Sequence, residues 1–171
     1  MEKGYIHVYT GNGKGKTTAA VGLAVRAVCA GKKVYFGQFV KGMKYNEVNC
    51  ESYLPNIKFE QFGRGCFISK APEQEDIDSA KEGLSKIKEI LINNTYDVVV
   101  LDELTIAMYF KLFTLDDVLN VLKFKHENTE IIITGRYAPD ELIDLADLVT
   151  DMTEVKHYYY KGVLSRNGID K

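Results

Sequence analysis

Apolar positions follow two rhythms that alternate from one end of the chain to the other. Short strand-like runs, Tyr5 to Tyr9, Lys33 to Val40, Ile57 to Phe62, Val98 to Leu101 and Ile131 to Ile133, are separated by stretches with helical spacing. That alternation predicts an α/β fold with a mainly parallel sheet and helices on both faces. Val98-Val99-Val100-Leu101 is apolar without a break, as in a strand covered on both sides. The first helix is expected from Lys16 to about Ala30, with Gly31 placed to end it. Pro72 opens a charged helix whose apolar stripe is Ile77, Ala80, Leu84, Ile87 and Leu91, spaced three and four apart. Thr114 is placed to cap another helix with Asp117 in its first turn, and Pro139 begins a short one. Val149 to His157 and Tyr158 to Val163 read as closing strands or loops. No repeat or linker interrupts residues 1–171, which read as one domain.

The junction between the first strand and the first helix carries the clearest chemistry. It reads Thr10-Gly11-Asn12-Gly13-Lys14-Gly15-Lys16-Thr17-Thr18. Strand, glycine-rich turn and Gly-Lys-Thr at a helix start is the context of a phosphate-binding loop. Glycines let successive N–H groups turn inward, and the helix N-terminus adds unpaired N–H groups and partial positive charge. Lys16 supplies a mobile charge and Thr17 a hydroxyl for a phosphate-bound metal ion. The loop departs from the common G-x-x-x-x-G-K-[ST] form, because its first glycine comes one position late, at Gly11. Lys14 then brings a second lysine to the loop.

Composition narrows the ligand. The chain is 46% hydrophobic and 27% charged, with a net charge of −2 and no clustered basic stretch, which argues against nucleic acid as the main ligand. Neither a signal-peptide core nor a membrane-length apolar run is visible, so a cytoplasmic protein is expected. Cys29, Cys50 and Cys66 are odd in number and widely spaced, indicating neither a disulfide framework nor a zinc ribbon.

A second acidic element completes the expected nucleotide site. The buried run from Val98 delivers Asp102 and Glu103 to the carboxyl end of a strand, where ligands of open α/β sheets collect. One carboxylate would serve the metal while the other orients a ligand or activates a nucleophile. Arg136 follows a buried strand in the same way, and there phosphate contact and a surface salt bridge are both open. Gln38 and Lys41, after the second strand, carry the same ambiguity. His7, His126 and His157 are too scattered for a Ser/His/Asp set or a metal-ligand pair.

These segments together resemble the ATP:corrinoid adenosyltransferases of the bacterial type that attaches adenosine to cobalamin. The resemblance is carried by Gly11 to Ala20, Gln38-Phe39-Val40-Lys41-Gly42, Asp102-Glu103-Leu104, Thr134 to Pro139 and Leu142 to Met152, in that order. It implies attack by a cob(I) corrinoid on C5′ of ATP, departure of triphosphate, and ATP reversed in the loop relative to nucleoside-triphosphate hydrolases. It further implies that Asn12, Gly13, Lys14, Gly15, Lys16, Thr17 and Thr18 hold the triphosphate, with Arg26 matching a helix arginine of the family. Thr17 and Glu103 would serve Mg²⁺ (or Mn²⁺), with Asp102 in support and Lys16 and Glu103 nearest the chemistry. A homodimer and a cytoplasmic electron donor such as a flavoprotein are implied as partners. The family's pocket aromatics include a tryptophan, whereas this chain has none, and Phe62 and Phe67 are the candidates to stand in. Gln38, Lys41 and Arg136 are further candidates on the corrinoid side. Two other readings stay open on the residues alone: a kinase or hydrolase of this fold, and a non-catalytic sensor of ATP or a corrinoid.

Overall fold

In the computed structural model, which describes residues 3–43, 45–64 and 71–170, the strands form one six-stranded sheet. They are β1 (Ile6–Thr10), β2 (Val34–Phe39), β3 (Ile57–Phe62), β4 (Val98–Asp102), β5 (Glu130–Thr134) and β6 (Leu148–Asp151). All pairings are parallel, in the order β3-β2-β4-β5-β1-β6. Parallel pairing sends every strand's carboxyl end to the same edge, so Thr10, Phe39, Asp102, Thr134 and Asp151 open onto one rim.

Alternation of side chains divides the core between the two faces. Val99, Leu101, Ile131 and Ile133 point to one face, with Leu84, Ile87 and Leu91 of α2 (Gln74–Asn93) and with Val118 and Leu122 of α4 (Leu115–Leu122). Val98, Val100 and Ile132 point to the other, against Ala20 and Ala24 of α1 (Lys16–Cys29). Two alanines with no exposed surface let α1 lie close to the sheet and hold its N-terminus at the rim. β4 is buried at all five positions, as its unbroken apolar run predicts.

Helix ends follow the expected signals with small shifts. Gly31 takes a left-handed φ of 78° just after α1, and Thr114 accepts a hydrogen bond from the Asp117 N–H in a reciprocal capping box. α2 starts two residues after Pro72, because a second capping box uses Glu73 and Asp76. Pro139 caps α5 (Asp140–Leu145). Three elements differ from expectation. A short helix α3 (Leu104–Tyr109) follows β4, a 3₁₀ turn covers Asn46–Ser52, and β6 ends at Asp151 rather than continuing. Within the stretch read as a closing strand or loop, Tyr158–Lys161 forms a second 3₁₀ turn with Tyr159 and Tyr160 exposed. Cys29 and Cys50 are free thiols, and no helix among the described residues is long and apolar enough to cross a membrane.

Candidate active site

The loop after β1 is shaped by contact with the chain beyond β6. Gly11 has φ 93°, and a Cβ there would strike Asp151 and Met152. The Gly13 N–H donates to the Met152 carbonyl at 2.6 Å, and Gly13 too lacks space for a side chain. The displaced first glycine therefore serves a close approach between loop and β6. The Gly13 N–H, expected among the phosphate donors, is instead spent on Met152, while the Gly13 carbonyl serves Lys16.

Lys16 bridges the loop from the first turn of α1. Its Nζ donates to the carbonyls of Gly11 and Gly13, both at 2.7 Å, and the side chain is buried. Burial lowers its pKa from the ordinary lysine value, partly offset by the charge of Glu103. Lys14 lines the other side of the same cavity. Its ammonium pairs with Asp170 at 2.5 Å, and Asp170 also accepts from Tyr158 Oη at 2.5 Å and Arg166 Nε at 3.1 Å. These bonds fold the 158–170 segment over the loop as a strap. Hydrogen bonds from Lys14, Tyr158 and Arg166 hold the Asp170 carboxyl far below the usual carboxylate range.

Asp102 organises the rim. It is fully buried and accepts from Thr17 Oγ1 at 2.8 Å, Thr134 Oγ1 at 2.7 Å, Gln38 Nε2 at 3.2 Å and Lys41 Nζ at 2.8 Å. Four donors, one of them cationic, satisfy the oxygens of this buried side chain. Glu103 follows in a left-handed conformation, φ 59°, and its N–H donates to Thr134 Oγ1 at 3.0 Å. That turn places Glu103 in the cavity wall. Burial and the neighbouring Asp102 push the Glu103 pKa up, against the pull of Lys41 and Lys16. For Lys41, burial works against the charge, but Asp102 and Glu47 outweigh it and the pKa rises.

A cavity of about 530 Å³ joins these pieces. Lys14, Lys16, Thr17, Thr18, Lys41, Glu103 and Arg136 all line it, with Gly168 to Asp170 of the strap forming another wall. Arg26 is exposed farther along α1 and is not among the lining residues. Two candidates for the corrinoid side lie elsewhere. Phe62 is 7% exposed and packs on Phe39 and against Gly83, so it has no free face for a ligand. Gln38 is fully buried between Asp102, Glu47 and Gln61. Lys41 is in the Thr17–Asp102 corner, and Phe67 lies outside the described residues.

Residues 2–170 match the family model described as ATP:corrinoid adenosyltransferase BtuR/CobO/CobP. The chain belongs to that family. It is 37% identical over 169 residues to a corrinoid adenosyltransferase of Escherichia coli, covering 99% of this chain and 86% of that protein. Identity to the corrinoid adenosyltransferase CobA of Salmonella typhimurium is also 37%, with the same coverage. To that of Pseudomonas aeruginosa it is 32% over 171 residues, covering 99% of this chain and 84% of that protein. Among solved structures, the flagellar accessory protein FlaH of Methanocaldococcus jannaschii superimposes with a TM-score of 0.60 at 12% identity. That match covers 88% of this chain and 72% of FlaH, and it speaks to the fold alone. The architecture is that of a P-loop α/β protein.

Sequence reasoning missed Thr134 as a site residue, although its hydroxyl bonds both the Asp102 carboxylate and the Glu103 backbone N–H. Its signal was available in a hydroxyl side chain at the end of an otherwise apolar strand, Ile131-Ile132-Ile133-Thr134. Glu47, which accepts from Gln38 at 3.1 Å, gave no such signal because it lies in an irregular segment.

Proposed function

We propose that this protein transfers the 5′-deoxyadenosyl group of ATP to the cobalt of a reduced cob(I) corrinoid. The family match over residues 2–170 carries the reading, and the cationic cavity fits it. The cobalt electron pair forms the Co–C5′ bond, the C5′–O bond breaks, and its electrons leave on triphosphate. Cob(I) is a strong nucleophile, so the protein need not supply a base. It has to hold C5′ in line with cobalt and stabilise the departing charge.

Lys14, Lys16, Lys41 and Arg136 supply that charge around one cavity. Lys16 is already fixed across the loop, so little reorganisation precedes its contact with phosphate. Thr17, Thr18 and the backbone around Asn12 and Gly15 complete the triphosphate grip. Arg26, on the exposed side of α1, would meet the nucleotide outside the loop cavity.

The donor set also fits a hard divalent ion. Thr17 and Glu103 offer oxygens at the cavity, with Asp102 bonded to the Thr17 hydroxyl. When bound, Mg²⁺ or Mn²⁺ would neutralise part of the triphosphate charge. A cytoplasmic electron donor such as a flavoprotein would furnish cob(I). A homodimer is supported by the exposed apolar edge at Leu145, Leu148 and Val149 beside β6.

An ATP analogue with a methylene group between the β and γ phosphorus atoms tests the reading. Attack at C5′ leaves that bridge untouched, so the analogue should still alkylate cob(I)alamin. A kinase or hydrolase acting at the γ phosphorus would turn over ATP without cobalamin and fail with the analogue. Tight binding of ATP and cob(I)alamin with no alkylation would instead identify a sensor.

A further inference from the structure

Lys41 occupies an unusual place for a lysine in a phosphate-binding site. Its Nζ is 2.8 Å from Asp102 Oδ2, 3.4 Å from Thr17 Oγ1 and 3.7 Å from Glu47 Oε1, and it lies over the Tyr45 ring at 5.1 Å. The side chain is only 14% exposed. Val40, immediately before it, has φ 61°, a left-handed conformation that β-branched residues rarely adopt. This turn at the end of β2 sends Lys41 inward beside β4 rather than onward into solvent. Strain of this kind persists only where the surroundings hold it.

Thr17, assigned above with Glu103 to the nucleotide's metal ion, donates its hydroxyl to Asp102 in this corner. Asp102 has no exposed surface, and a buried carboxylate is normally paired with a cation. Lys41 provides one at 2.8 Å. An ammonium and a divalent ion repel, and burial leaves little water to screen them. The incoming triphosphate changes that balance, because its charge offers the ammonium a new partner inside the same cavity.

We propose that Lys41 is a positioning residue, the resident cation of the Thr17–Asp102 corner, which excludes free divalent metal until a metal-bearing triphosphate displaces its ammonium. The proposal rests on the assignment of Thr17 and Glu103 to the metal. It makes metal and nucleotide arrive together, and it adds a third ammonium to the phosphate cradle beside Lys14 and Lys16.

The test is Mn²⁺ titration with and without ATP, in which protein-bound metal is separated from free Mn²⁺ and Mn²⁺–ATP by equilibrium dialysis and quantified by electron paramagnetic resonance. The full chain is compared with its Lys41→Gln and Lys41→Arg variants. Without nucleotide, Lys41→Gln should bind Mn²⁺ at least about 10-fold more tightly than wild type, while Lys41→Arg stays as weak as wild type. With ATP, Mn²⁺ should bind the wild-type protein, and the advantage of Lys41→Gln should shrink. Equal Mn²⁺ affinity of wild type and Lys41→Gln without ATP, where ATP still brings Mn²⁺ to both, overturns the proposal alone. Failure of ATP to bring Mn²⁺ to either protein removes the metal assignment and the proposal with it. If Lys41→Gln does not fold, Lys41→Arg decides: its forked guanidinium should hold the corner and weaken Mn²⁺ binding severalfold with ATP, and unchanged affinity overturns the idea.

Discussion

Thr134→Val isolates the smallest part of the site that joins the Asp102 carboxylate to the Glu103 backbone. The side chain is fully buried, and valine preserves its shape while removing the hydroxyl. Two bonds go together: Thr134 Oγ1 to Asp102 at 2.7 Å, and Glu103 N–H to Thr134 Oγ1 at 3.0 Å. A hydrogen bond to a charged group contributes roughly 1.5–3 kcal/mol, and a buried N–H left unpaired costs about 1–3 kcal/mol. Asp102 keeps Thr17, Gln38 and Lys41 as donors, which limits the loss. A net destabilisation of about 3 kcal/mol follows, or roughly 6–12 °C in Tm for a domain of this size. Thr134→Ser retains the hydroxyl and should lose about 1 kcal/mol or less. Calorimetry of the three proteins gives the comparison, and adenosylation assays at a temperature where all are folded add a second readout. Thr134→Val should also lower turnover, because Asp102 and the Glu103 backbone lose their common anchor. A valine variant melting within about 2 °C of wild type with normal turnover would refute the reasoning.

Glu103→Gln should separate function from stability. The folded-state pKa of Glu103 is raised, so the ionised carboxylate costs stability as pH rises through that pKa. The glutamine variant should therefore be more stable than wild type at pH 7, lose that advantage near pH 4, and be impaired in adenosylation; equal melting curves at pH 7 would count against the burial argument. Lys16→Ala removes the ammonium that spans Gly11 and Gly13 and should lower turnover by about 10²-fold or more in steady-state assays. Asp170→Asn should loosen the strap, seen as faster amide hydrogen exchange across residues 158–170. The depressed Asp170 pKa implies the same loosening in wild type at acid pH, since contacts present above the unfolded carboxyl pKa are lost as pH falls through the folded one.

The strands and α1 were legible because each is written locally. Val98 to Leu101 is apolar throughout, and Gly15-Lys16-Thr17 can open a helix only after a turn. α3 was not legible. It begins at Leu104 directly after a left-handed Glu103, a conformation imposed by the Thr134 contact from another strand. The same distinction runs through the site. Lys16, Thr17, Asp102 and Glu103 lie in motifs whose spacing carries meaning, and they meet at the rim as expected. Lys14 lines the cavity, and its ion pair with Asp170, distant in sequence, had no local signal. Phe62, the last residue of β3, was a candidate to stand in for the family's pocket aromatics, yet the side-chain alternation of that strand turns it into the core against Gly83. Gln38 was assigned to the same ligand, and its role as an internal donor to Asp102 depends on β2 pairing with β4, which places the two residues in register.

The central claim is attack at C5′ with triphosphate as leaving group. Single-turnover reaction of the protein with Mg²⁺, ATP labelled on the γ phosphate and chemically reduced cobalamin tests it most directly. The account predicts one intact labelled triphosphate for each cobalt–carbon bond formed. Labelled orthophosphate with ADP, and cobalt left unalkylated, would contradict it.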